Sequence, residues 1–111
     1  MTIYRIRVEL LDSKPPIWRR VELSSQTTLK QVHRILQIAM GWSNSHLHEF
    51  LVGRQRYGVP DQTYGGPNEV IADSKVALAK VLPTRGARIH YIYDFGDYWQ
   101  HAVQLEAIVP A

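Results

Sequence analysis

Cysteine is absent from the 111 residues. That excludes disulfides, thiolate metal sites and cysteine nucleophiles, so any metal would rest on His, Asp or Glu. Long apolar runs are absent too. No stretch approaches the roughly 18 apolar residues of a membrane span. The opening Thr2-Ile3-Tyr4-Arg5-Ile6-Arg7 alternates apolar and charged residues where a secretory signal needs an unbroken apolar core. The cytoplasm is the expected compartment. There is no internal repeat, linker or low-complexity segment. The charge imbalance is small, +3; it permits nucleic-acid contact, and a solvated surface explains it equally well.

What is present fits an ordinary globular chain. The hydrophobic share of 45% and the charged share of 21% suffice for a core without metal or disulfide staples. A single domain over 1–111 is expected. Tyr4, Ile6, Val8 and Leu10 alternate with Arg5, Arg7 and Glu9, the pattern of a half-buried strand. Pro15-Pro16 marks a turn, and 17–23 reads as the second arm of a hairpin. Leu29, Val32, Ile35, Leu36, Ala39 and Met40 recur at helical spacing. Thr28 with Gln31 has capping-box spacing, and Gly41 suits the left-handed residue past the helix end. Lys30, Arg34 and Gln37 are assigned to the outward face. Strands follow at 46–52, near 56–59, at 88–93 and at 99–108. Residues 60–74 read as a long surface loop, and 75–82 as a short strand or helical turn. The economical architecture is α+β: one main helix on a largely antiparallel or mixed sheet of about five strands, with a β-grasp-like hairpin-then-helix opening.

Three stretches carry a resemblance. They are Pro16-Ile17-Trp18-Arg19-Arg20-Val21; Ala39-Met40-Gly41-Trp42 with His46-Leu47-His48-Glu49-Phe50; and Tyr93-Asp94-Phe95-Gly96-Asp97-Tyr98-Trp99-Gln100-His101 leading to Leu105-Glu106. Together they resemble the plasmid pRiA-type ORF-three-like family, whose relatives are also labelled passenger TnpR proteins of insertion elements. The resemblance spans nearly the whole chain. It implies an α+β fold and occurrence in prokaryotes and on mobile DNA, and it implies no activity, so it assigns no catalytic residue. The resolvase-like label finds no support in the residues. A serine recombinase needs a nucleophilic serine among arginines, whereas the six serines here fall in expected turns or caps. Asp94-Phe95-Gly96 likewise lacks every other part of a kinase site and reads as a turn.

The chemistry-bearing cluster is histidine and aspartate. Strand parity puts His46 and His48 on one face, and His101 shares its face with Trp99, Val103 and Leu105. With Asp94, Asp97 and Trp42 these residues are expected at one end of the sheet. Three arrangements would satisfy them. One is a structural polar network, because unpaired buried polar groups cost a few kcal/mol. A second is a ligand or partner pocket floored by Trp42, Trp99 and the histidines. The third is a divalent-metal site on His46, His48 and His101; no bound cofactor is the leading expectation and a divalent metal the alternative. Separately, Arg5, Arg7, Arg20, Lys30 and Arg34 form a candidate phosphate-contacting set, diluted by Glu9 and Glu22. The function expected is a binding or interaction module of plasmid or mobile-element biology without assignable catalysis. The alternatives are a small His/Asp metal-dependent enzyme and a weak nucleic-acid-binding accessory protein.

Overall fold

The computed structural model of the chain describes residues 2–60 and 70–110. In chain order the elements are β1 (Thr2–Leu10), β2 (Ile17–Ser24), α1 (Leu29–Met40), β3 (His48–Val52), β4 (Gln55–Gly58), β5 (Val70–Ala72), a 3-10 turn (Asp73–Lys75), α2 (Leu78–Val81), β6 (Arg88–Tyr93) and β7 (Trp99–Pro110). No helix among the described residues is long and apolar enough to cross a membrane.

The seven strands form one sheet in the order β2-β1-β7-β6-β3-β4-β5. Every described pairing is antiparallel except β4 with β5. This corrects the expected α+β sheet of about five strands with a helix laid on it. The described residues are mostly sheet, with one twelve-residue helix and one of four residues. The β-grasp-like comparison ends with the opening hairpin and helix, because β1 pairs antiparallel with the last strand, β7, inside a seven-stranded sheet. The strand left uncounted, β5, lies in the stretch read as a loop. Three residues, Val70-Ile71-Ala72, are too few to show alternation. The remainder of that presumed loop, 61–69, lies outside the described residues.

The helix begins and ends on the residues that local chemistry favours. Thr28 Oγ1 accepts from the Gln31 amide at 3.3 Å, and Gln31 Oε1 accepts from the Thr28 amide at 3.1 Å. Gly41 closes it at φ +76°, where a side chain would be strained. Arg19 faces the same side of β2 as Val21 and Leu23, and its Nε donates to the Ala39 carbonyl at 3.1 Å near the helix C-terminus. Leu29, Val32 and Leu36 are sealed against Tyr4, Ile6 and Val8 of β1, Phe50 of β3, Tyr91 of β6 and Val103 and Leu105 of β7. The helix wheel needs one correction. Gln37, assigned outward, is 3% exposed, and His33 is 4% exposed, whereas Ile38 is 82% exposed. The buried stripe is therefore partly polar, and those polar groups build the site described next.

Leu36 has no exposed surface, so Leu36→Ala should destabilise the fold by about 2–5 kcal/mol through lost transfer energy and a residual cavity. Equilibrium urea denaturation followed by far-UV circular dichroism measures this.

Candidate functional site

Cross-strand register brings the tyrosines and histidines of three strands onto the covered face. Tyr93 lies opposite His48 and Trp99, and Tyr91 lies opposite Phe50 and His101. His48 and His101 thus share one face of the sheet. Loop 41–47 is tied down over it: the Ser45 amide donates to Tyr93 Oη at 2.8 Å, and the Asp94 amide to the Leu47 carbonyl at 2.8 Å.

Under this loop lies a closed ring of hydrogen bonds whose direction one backbone amide decides. The Asn44 N–H donates to Gln37 Oε1 at 2.7 Å, which turns the Gln37 amide group towards Tyr91. Gln37 Nε2 donates to Tyr91 Oη at 2.8 Å. The hydroxyl proton is then free to go to His33 Nδ1, 2.6 Å away. His33 Nε2 carries the ring proton and donates to Asn44 Oδ1 at 2.6 Å. Donors and acceptors match at each of these four bonds, and His33 is held neutral in its Nε2–H form. Burial, and next the neighbouring His48, push the His33 imidazole down to about 4, against weaker opposing pulls from Asn44 and Asp73.

His48 stacks on His33 with ring centroids 3.5 Å apart and planes within 8°. Its Nε2 donates to Asp73 Oδ2 at 2.7 Å, and both side chains are buried. His101 is held differently. Its Nδ1 donates to the Tyr91 carbonyl at 3.1 Å, leaving Nε2 to face Trp42 Nε1–H at 3.4 Å, and burial pushes its imidazole down as well. Trp42 packs against Trp99 at 5.6 Å. His46 is at the rim: its side chain is 54% exposed and its Nε2 sits 3.6 Å from Asp94 Oδ2. Asp94 occupies the left-handed region at φ +65°, and its Oδ1 accepts from the Gly96 and Asp97 amides, the hydrogen-bonded turn that Asp favours. Asp97 joins the turn through its backbone and is exposed.

The expected cluster is therefore two arrangements. His46, His48 and Asp94 lie towards α1 and loop 41–47, while His101, Trp42 and Trp99 lie on the other side of Tyr91 and Tyr93. His46, His48 and His101 take three different partners. Among the described residues no group of three or more His, Asp or Glu is placed to hold a metal ion. The arginine and lysine set is split as well. Lys30 and Arg34 stand on the exposed side of α1, whereas Arg5, Arg7 and Arg20 occupy the sheet face turned away from the helix. There Arg5 pairs with Glu22 at 2.8 Å and Arg20 with Glu106 at 2.6 Å, and Arg7 lies over the Trp18 ring at 4.5 Å.

Between α1, loop 41–47 and the start of β3 opens a cleft of about 490 Å³, lined by Lys30, His33, Arg34, Asn44, Ser45, His46, Leu47, His48 and Val59. Its floor is the His33–His48 stack and its rim is cationic. The residues missing from the sequence reading are His33, Gln37, Asn44, Asp73 and Tyr91. Of these only His33 carried a signal, four residues after Leu29 and three before Leu36 on the apolar stripe.

A family model described as plasmid pRiA4b ORF-3-like protein matches residues 2–111. The chain belongs to this family. The uncharacterized protein y4hQ of Sinorhizobium fredii is 38% identical over 112 residues, covering 99% of this chain and 56% of its own length. A crystal structure of the protein of unknown function MM3350 from Methanosarcina mazei Go1 superposes with a TM-score of 0.85 at 28% identity, covering 99% of this chain and 62% of that one. This pRiA4b ORF-3-like chain thus spans a little over half the length of the relatives it matches.

The buried imidazoles make stability depend on pH. The folded value of His33, about 4, lies below the ordinary 6.5. The unfolded chain therefore takes up the proton first, and stability present above pH 6.5 is lost as pH falls towards 4. The loss from His33 alone should be on the order of 3 kcal/mol, with His101 adding in the same direction. Chemical denaturation at steps from pH 7.5 to 4.5 measures the slope, and His33→Gln should flatten most of it.

Proposed function

We propose that this member of the family is a single-domain binding module and that the cleft between α1 and loop 41–47 is its site, taking a small anionic ligand of the phosphate type. The observation that carries this reading is the pairing of a cationic rim with a prebuilt polar floor. Lys30 and Arg34 stand one helical turn apart and exposed, His46 faces them from the loop, and the floor is locked by the Asn44–Gln37–Tyr91–His33 ring. A guanidinium and an ammonium at one opening recognise phosphate oxygens by charge-assisted hydrogen bonds. Among the described residues the lining carries no carboxylate, and Asp94 sits beside His46 at its edge.

The family description supports a link to plasmid biology, and the cysteine-free composition fits the cytoplasm. The cleft is favoured over a broad nucleic-acid interface because Arg5 and Arg20 are committed to Glu22 and Glu106 on the opposite face. It is favoured over a metal-dependent enzyme because, among the described residues, no three His, Asp or Glu side chains are grouped to hold a metal ion.

Titration with inorganic phosphate, followed by NMR of the histidine side chains and the loop amides, tests the reading. Saturable shifts of His46, His48 and Ser45 are expected, with His101 unmoved. The double substitution Lys30→Glu and Arg34→Glu should weaken binding by about tenfold or more, equivalent to roughly 1.4 kcal/mol. Shifts confined to the Arg5–Arg20 face would refute it.

A further inference from the structure

The two imidazoles at the base of the cleft are not equivalent. Both nitrogens of His33 are committed, one to Tyr91 and one to Asn44. His48 commits only Nε2, to Asp73. Among the described residues its Nδ1 has no hydrogen-bond partner. Nor is it sealed: the one buried side-chain nitrogen or oxygen without a partner among the described residues is Arg7 Nε, on the other face of the sheet. His48 lines the cleft, and with Nε2 held by Asp73, Nδ1 is the ring nitrogen left for a ligand there. A carboxylate on one ring nitrogen and an open lone pair on the other is the arrangement of a general base. The carboxylate fixes the tautomer and stabilises the imidazolium that forms.

A second imidazole shares the same cleft. His46 is exposed at the rim, with Asp94 Oδ2 3.6 Å from its Nε2. Lys30 and Arg34 supply positive charge for an anion lying between the two histidines.

We propose that the cleft cleaves RNA by intramolecular transesterification, with His48 as general base and His46 as general acid. This rests on the anion-binding reading and adds a substrate class and a reaction to it. The 2′-hydroxyl proton passes to His48 Nδ1, and the 2′-oxygen forms a bond to the adjacent phosphorus. The bond from phosphorus to the 5′-oxygen breaks, and that oxygen takes a proton from His46. The products are a 2′,3′-cyclic phosphate and a 5′-hydroxyl; nothing is oxidised or reduced and no water is consumed. Lys30 and Arg34 hold the phosphate and stabilise the charge that builds on its oxygens. Asp73 is a positioning residue. It acts through His48, which also faces His33 and Tyr91, while Lys30, Arg34 and His46 border the cleft around it.

The test uses the full chain, without a tag and in excess EDTA, with a single-stranded RNA oligonucleotide and a DNA strand of the same sequence. Mass spectrometry of the products should show cyclic-phosphate and 5′-hydroxyl ends from RNA and intact DNA, with a bell-shaped pH–rate profile. His46→Ala changes an exposed side chain, so the fold should persist while the rate falls by about 10²-fold or more. Asp73→Asn should lower the rate and move the ascending limb of the profile to lower pH. Arg20→Ala, on the opposite face, should leave the rate unchanged. Intact RNA, equal cleavage of DNA, or a rate unaffected by His46→Ala would each overturn the proposal. The phosphate titration separates the two readings. Phosphate shifts at His46 and His48 with intact RNA remove the catalytic reading and leave the binding one, whereas absence of those shifts removes both.

Discussion

A single backbone amide, that of Asn44, orients the buried polar chemistry of this protein. Because an N–H can only donate, it decides which way the Gln37 amide faces, and so which proton the Tyr91 hydroxyl gives and which His33 nitrogen stays bare. The ring joins α1, loop 41–47 and β6, three segments that meet through these polar groups as well as through the apolar core. Its low-dielectric setting makes a partly made ring costly, so its members are expected to form or fail together. The cleft inherits its shape from this constraint, since Asn44 belongs to the loop wall and His33 to the floor.

The two outer histidines show how neighbours divide labour among identical side chains. His101 has a carbonyl on one nitrogen and an indole N–H facing the other, which leaves it little to do but hold β7 beneath Trp42. His48 has a buried carboxylate on one nitrogen and open cleft on the other. Cross-strand register through β6 places both on one face. Only the partners, drawn from the 3-10 turn in one case and from Trp42 and β6 in the other, make one structural and the other available to a ligand.

The legible and illegible parts of the fold divide along the same line. Helix α1 was readable because its signals are local: an apolar stripe, Thr28 with Gln31, and Gly41 all lie within fourteen residues. The alternating strands were readable for the same reason. The width of the sheet was not, because β5 has three residues and joins β4 by parallel pairing from outside any hairpin. Asp73 was hidden in a stretch without periodicity, and its pairing with His48 spans 25 residues. Gln37 was assigned to solvent by residue type, yet tertiary hydrogen bonding to Tyr91 and Asn44 outweighs that preference. The histidines were gathered by face, and parity along a strand says nothing about which side of Tyr91 a neighbour lies; His48 of β3 and His101 of β7 flank β6 from opposite sides.

The order of the strands leaves β2 and β5 at the two margins of the sheet. An eight-residue margin such as β2 offers a row of unsatisfied amides and carbonyls on which another extended chain could grow. Here that margin is preceded by Lys14-Pro15-Pro16 and carries exposed Arg19, Arg20 and Glu22, while the opposite margin is only three residues long. Fibrillar, strand-upon-strand recruitment of further copies is thereby discouraged at both ends. A protein that is mostly one sheet gains in this way a resistance to amyloid-like growth that its fold alone would not confer.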